Sequence, residues 1–271
     1  MYLHPLLSTV PPDERLELVH QIEVRTFRRN EVVMPQDDST ECLYCVGDGL
    51  LRVVVADTHG HEDVTTDFIK RDEVYLASAF EESRTRSGTS LVAALPSSVQ
   101  IVPWREFHRL CGRYPEVLFG LLRLEAKRAA MLRKQLRRVS CSASEALVSR
   151  TLHELTQLAP VGTSGYDKRI TQVVIASYTG LSREQVNKTM REFESQGLVE
   201  KDGAAVRVPP QFAYSDFQAP VSPGGEASPV PAPAPAPAPA RPPAVSRPKA
   251  SESCHSCESG DDDYDPFHEP L

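Results

Sequence analysis

No stretch of the 271 residues approaches the ~20 consecutive apolar side chains needed to span a bilayer. The opening residues, Met1-Tyr2-Leu3-His4-Pro5, carry no basic segment followed by an apolar run, so no secretory signal is expected. Cysteine is scarce: six in this length do not make a disulfide scaffold, and the cytoplasm is the expected compartment. A glycine-rich phosphate loop, a nucleophile elbow and a pair of catalytic carboxylates are all missing, so an enzyme is not expected. Positive charge is not in excess either, the formal net charge being −7. Residues 211–271, however, hold nine Asp/Glu against three Lys/Arg, which leaves 27 basic and 28 acidic residues in the first 210. The acidity belongs to the tail and does not argue against a polyanionic partner for the rest, because binding follows the local field.

What is present suffices for one large or two ordinary domains, with 40% hydrophobic residues to fill their cores. A helix is expected near Asp13 to His20, behind Pro11-Pro12. Up to about Pro103 the chain reads as short strands, among them Glu31 to Met34, Leu43 to Val46, Leu50 to Val55 and Ser98 to Val102. Turns at Gly47-Asp48-Gly49, His59-Gly60-His61 and Leu95-Pro96-Ser97 separate them, the pattern of an antiparallel sandwich or barrel. His59 and His61 are read as turn residues rather than ligands.

The period changes at Pro115. Apolar residues at Leu118, Leu122, Ala129, Leu132, Leu136 and Val139 form a heptad seam suited to pairing two helices. The basic residues of this helix, Arg123, Lys127, Arg128, Arg133, Lys134, Arg137 and Arg138, are read as a solvated face. Ser142 with Glu145 predicts a capping box for a helix from Glu145 to Leu158. Pro160 to Asp167 is expected to be a loop. Beyond Pro209 order is expected to cease, since the Pro-Ala alternation of Pro231 to Ala240 offers nothing to bury. The expected division is therefore 1–112, an effector domain; 113–140, a dimerisation helix; 141–210, a DNA-binding domain; and 211–271, a disordered acidic tail.

Function concentrates between Ile170 and Val208. Val174, Ile175 and Tyr178 define one short amphipathic helix, and Gly180 ends it. Ser182 caps a second helix with Val186, Met190 and Phe193 inward and Arg183, Glu184, Asn187, Lys188 and Arg191 outward. A hairpin from Glu200 to Val208 completes a winged helix-turn-helix. The outward residues suit a major groove: Arg forks to guanine, Glu accepts from cytosine, and Lys meets guanine or phosphate.

Ile-Thr-Gln at 170–172, Thr-Gly-Leu-Ser-Arg-Glu-Gln-Val at 179–186 and Leu-Val-Glu-Lys-Asp-Gly at 198–203 closely resemble the CRP/FNR superfamily of transcriptional regulators, and a weaker likeness extends upstream. The resemblance implies an α+β fold: an N-terminal cyclic-nucleotide-binding-type jelly roll, a long dimerisation helix and a C-terminal winged helix-turn-helix. It implies that Arg183, Glu184 and Lys188 read bases, with Asn187 on the same face. Thr171, Gln172 and Ser182 would sit near the phosphates. The implied partners are double-stranded DNA, a second copy of the chain, and RNA polymerase.

The chain departs from the family at the nucleotide pocket. Arg86-Ser87 fits the phosphate-binding pair, but Leu76 and Ala77 stand where a Gly-Glu pair would meet the ribose, and Leu132-Arg133 where a Thr-Ser pair would meet the base. Cyclic AMP is therefore not the expected effector, while another nucleotide or a cyclic dinucleotide stays open. Cys42 and Cys45, three apart in a strand, face opposite sides and make a poor metal or disulfide pair. Cys254 and Cys257 supply two of the four ligands that a closed zinc site needs, so no metal is expected. The alternative function is a ligand- or redox-sensing module acting through a protein partner.

Overall fold

The computed structural model describes residues 4–36, 41–55, 63–76 and 88–214. The expectations for His59 and His61, Ala77, Arg86-Ser87, the tail repeat, Cys254 and Cys257 lie outside the described residues.

Two four-stranded antiparallel sheets follow helix α1 (Pro12–His20). One runs in the order β1 (Glu23–Phe27), β8 (Ser97–Pro103), β3 (Cys42–Asp48), β6 (Val74–Leu76). The other runs β2 (Val32–Met34), β7 (Ser90–Ala93), β4 (Leu50–Val55), β5 (Val64–Lys70). Strand β3 shows why they stack. Its side chains alternate, Tyr44 and Val46 entering the core between the sheets while Leu43 and Cys45 point outward into a second apolar cluster. Cys42 packs on the inner core and Cys45 in the outer cluster, so they stand on opposite faces as expected. Burial pushes the Cys45 thiol up to about 11, which keeps it protonated and unreactive.

The outer cluster is covered by Leu7 and Leu18 from the N-terminus, by helix α2 (Trp104–Arg113) and by the first turns of helix α3 (Pro115–Cys141). Sequence reading did not identify α2. Its buried Phe107, Leu110 and Cys111 are too few to display a period.

Helix α3 spans 27 residues, about 40 Å of rise. Val117 and Leu121 are buried against its own domain. The predicted seam is instead open: Leu122 is 62% exposed, Leu136 68%, and Leu118, Leu132 and Val139 about as exposed as each other near 40%. The basic residues are not all solvated. Arg128 and Arg138 turn inward, to Asp67 and Glu154 respectively, at side-chain exposures below 20%.

The C-terminal half contains α4 (Ser144–Leu158), α5 (Gln172–Thr179), α6 (Arg183–Ser195) and a four-stranded sheet, β11 (Glu200–Asp202), β12 (Ala205–Arg207), β10 (Gly165–Asp167), β9 (Pro160–Val161). Three expectations need correction. Helix α4 begins at Ser144 with Ala143 as N-cap and no side-chain cap bond, so the Ser142–Glu145 box does not form. The segment read as a loop from Pro160 to Asp167 contains strands β9 and β10. Tyr166 of β10 is buried, and Gly165 pairs with both Val161 and Arg207. Order also continues past Pro209, because Pro210–Ala213 forms a 3-10 turn that drives Phe212 fully into the core, 5.0 Å from the Phe193 ring. Phe212→Ala is expected to cost about 3–5 kcal/mol of unfolding free energy, read by urea denaturation. A cost below about 1 kcal/mol would mean the ring is not part of the core.

Candidate nucleic-acid interface

The first helix of the helix-turn-helix, α5, buries Val174, Ile175, Ala176 and Tyr178 and ends at Gly180, whose φ of +70° an L side chain would resist. That left-handed residue turns the chain so that α6 crosses α5. Ser182 then caps α6: its hydroxyl accepts from the Gln185 N–H at 3.2 Å, and the Gln185 side chain accepts from the Ser182 N–H at 3.2 Å. Val186, Met190 and Phe193 anchor one side of α6 in the core.

The opposite side carries the candidates. Arg183, Glu184, Lys188 and Arg191 are exposed and Asn187 is half-buried. Glu184, Asn187, Lys188 and Arg191 line one shallow groove along the helix. Arg191 belongs to this group by position, although its sequence context gave only its outward direction. Lys188 keeps a loose pair with Glu192, N to O 4.0 Å, at 79% exposure. Arg183 makes no ion pair among the described residues. The cations of the wing are engaged instead: Arg207 pairs with Asp202, Lys201 with Glu194 at 2.6 Å, and Lys168 donates to the Gly203 carbonyl. Arg183 and Arg191 of α6 thus present guanidinium groups with no ion pair among the described residues. Thr171 is exposed at the N-cap of α5 without a side-chain cap bond, and Gln172 opens its first turn half-buried. Unlike Thr171, the Ser182 hydroxyl is already used in the cap.

Contacts far apart in sequence seat this head on the roll. The Ser177 hydroxyl of α5 accepts from the Thr65 N–H at 2.8 Å and donates to the Asp63 carbonyl at 2.6 Å. Beside them the Phe68 and Tyr178 rings meet edge-on at 4.9 Å. The Gln135 amide of α3 donates to the Tyr178 carbonyl at 3.1 Å. The apolar core of the winged helix takes in Leu50, Phe68, Ala94 and Leu95 from the roll.

In the effector half, Leu76 packs against the outer apolar cluster, and Leu132 and Arg133 lie exposed on α3. The leucine side chain at position 76 has no polar atom to offer a ribose. Arg128 is held by Asp67 at 3.0 Å, Glu125 at 2.8 Å and the Val74 carbonyl at 2.8 Å, with its guanidinium 5.6 Å above the Tyr75 ring. Burial pushes the Asp67 carboxyl up to about 6, against the opposing pull of Arg128. A carboxyl raised above its unfolded value of 3.8 contributes stability that is complete below about pH 4 and lost as pH rises through about 6. Carbon-detected NMR is expected to show Asp67 titrating near 6; a midpoint near 4 would contradict the burial account. Among the described residues, no three His, Cys, Asp or Glu gather as metal ligands. No described helix is long and apolar enough to cross a membrane.

The cyclic nucleotide-binding domain family matches residues 24–114, and the Crp-like helix-turn-helix domain family matches residues 148–209. The cAMP-activated global transcriptional regulator CRP of Pasteurella multocida is 24% identical over 206 residues, 74% of this chain and 98% of its own length. The CRP-like cAMP-activated global transcriptional regulator of Mycobacterium tuberculosis is 25% identical over 207 residues, 75% of this chain and 91% of its own. Among solved structures, FixK2 from Bradyrhizobium japonicum shares the fold at a TM-score of 0.63 and 18% identity, covering 73% of this chain and 99% of FixK2. The c-di-GMP responsive global regulator CLP of Xanthomonas campestris does so at 0.62 and 16%, covering 73% and 99%.

A roll of cyclic-nucleotide-binding type joined to a winged helix-turn-helix defines a DNA-binding transcriptional regulator. The chain belongs to the CRP/FNR family. That family consists of transcription regulators rather than enzymes, and a sensing module without a DNA role is not favoured.

Proposed function

We propose that the protein is a cytoplasmic homodimer that reads a two-fold-symmetric duplex site with two copies of α6. Arg183, Glu184, Asn187 and Lys188 contact base edges, while Thr171, Gln172 and the N-terminal turn at Ser182 lie against phosphates. The observation that carries this reading is the outward face of α6, where Arg183 has no competing ion pair among the described residues and the wing's cations do. The open seam of α3 supports the dimer: it is too apolar to face water along its length, and pairing would set two heads about one helical turn apart. Residues 1–112 sense, α3 dimerises, and the winged helix through Tyr214 reads DNA. The effector is a nucleotide other than cyclic AMP or a cyclic dinucleotide, the latter favoured by the fold shared with CLP. Arg86 and Ser87 would meet its phosphate. RNA polymerase is the protein partner. Native mass spectrometry with a bound duplex is expected to give two chains per duplex. One chain per duplex would overturn the dimeric reading.

A further inference from the structure

We propose that the half-open cavity lined by β5, α3, α4 and Tyr178 of α5 binds a compact phosphomonoester with a flat or apolar body, at a site separate from the nucleotide pocket. Its volume is about 300 Å³, at the lower end for small-molecule sites and enough for a molecule of nucleoside-monophosphate size. Five Lys/Arg against three carboxylates line it. Arg128 and Arg138 are spent on Asp67, Glu125 and Glu154. The other three, Lys70 from β5, Lys127 from α3 and Arg150 from α4, have no ion pair among the described residues. Glu73, the remaining lining carboxylate, accepts from the Lys70 N–H at 3.2 Å, so three cations from three different elements stand against one carboxylate, a net positive charge of two that suits a dianion better than a single carboxylate. Beside them, Phe68, Met131, Leu158 and Tyr178 form an apolar wall for a ring. His153 lies in the same lining. Burial and the neighbouring Arg150 hold its pKa below the ordinary value, so at neutral pH it is an uncharged hydrogen-bonding group.

Of the described positions where the family resemblance implies the nucleotide pocket, Leu76, Leu132 and Arg133 do not line this cavity, and Arg86→Gln tests the separation. Its walls belong to the roll, to the long helix and to the DNA-reading half. An occupant would therefore strengthen the seat of the head on the roll, alongside the Ser177–Thr65 contact. This coupling rests on the DNA-reading proposal above, but binding itself does not.

The probe is 5′-AMP, titrated by calorimetry into the full-length protein, with adenosine and cyclic AMP as controls. The dianion is expected to bind, the monoanion about tenfold more weakly, and the neutral nucleoside not detectably. Removing two cations with Arg150→Gln and Lys127→Gln should weaken 5′-AMP by about a hundredfold while leaving the melting temperature in place, because both side chains reach solvent. Arg86→Gln should leave the affinity unchanged. The proposal is overturned if 5′-AMP fails to bind at millimolar concentration. Binding that survives the paired substitution, or that falls with Arg86→Gln, would overturn it equally. Any of these failures leaves the DNA-reading proposal standing, since site selection without ligand tests that separately.

Discussion

Arg183→Ala is expected to weaken binding to the protein's own operator about 10- to 100-fold and to relax selectivity at one base pair of each half-site. The magnitude follows from losing a bidentate contact to guanine, worth about 1–3 kcal/mol. The variant should remain folded, because Arg183 makes no ion pair among the described residues and the start of α6 is held by the reciprocal Ser182–Gln185 bonds. Lys188→Ala discriminates between two roles. If Lys188 meets phosphate, all sequences weaken together and the slope of log K against log salt falls by about one. If it meets a base, the slope holds and selectivity drops. Anisotropy titrations over a salt series read both effects. Unchanged affinity in both variants would remove α6 as the reading helix.

Leu122→Glu with Leu136→Glu is expected to convert the dimer to monomers and to abolish binding to the paired half-sites. These side chains are 62% and 68% exposed in the single chain, so the charges meet water there and the fold survives. In a paired helix each leucine would be buried, worth about 1.5–3 kcal/mol, and each glutamate would instead face its copy across a dry seam. One head on one half-site keeps only its own share of the binding energy. Bringing the second head to the same duplex by dimerisation is worth about 10²–10⁴ in affinity, and that gain is lost. Sedimentation velocity should report a monomer with an unchanged circular dichroism spectrum. A dimer that persists would place the interface elsewhere.

The features legible in sequence are those whose signal is local or periodic. The long helix α3, the alternation of β3 and the Thr-Gly-Leu-Ser turn each state their geometry within a few residues. Gly180 takes the left-handed conformation, and Ser182 makes the cap that its neighbours imply. What failed depends on partners distant along the chain. Pro160 to Asp167 holds Pro160, Gly162 and Gly165 among small polar residues and looks like a loop, yet β10 pairs with β12 some 40 residues on, and Tyr166 is buried there. Phe212 sits among tail-like residues, and helix α4 and the Phe193 ring, both distant along the chain, give it a place in the core. The Ser142 capping pattern is intact as a motif, but the chain leaves α3 at Cys141 and enters α4 at Ser144, one residue too late for it. Arg128 reads like its solvated neighbours, and its carboxylate, Asp67, lies 61 residues away. The candidate DNA-reading residues were legible because α6 has to bury one face and therefore presents the other. The seating of α5 on Thr65 and Phe68 was not, because it is a contact between two halves whose sequences do not refer to one another.

Selection from a random duplex library with the full-length protein, at near-physiological salt and without ligand, tests the central claim most directly. The account predicts enrichment of a two-fold-symmetric sequence with half-sites about 10 base pairs apart, with one base pair of each half-site relaxed in Arg183→Ala. Enrichment of an asymmetric single half-site, or of no sequence even when cyclic mono- and dinucleotides are supplied, would contradict it.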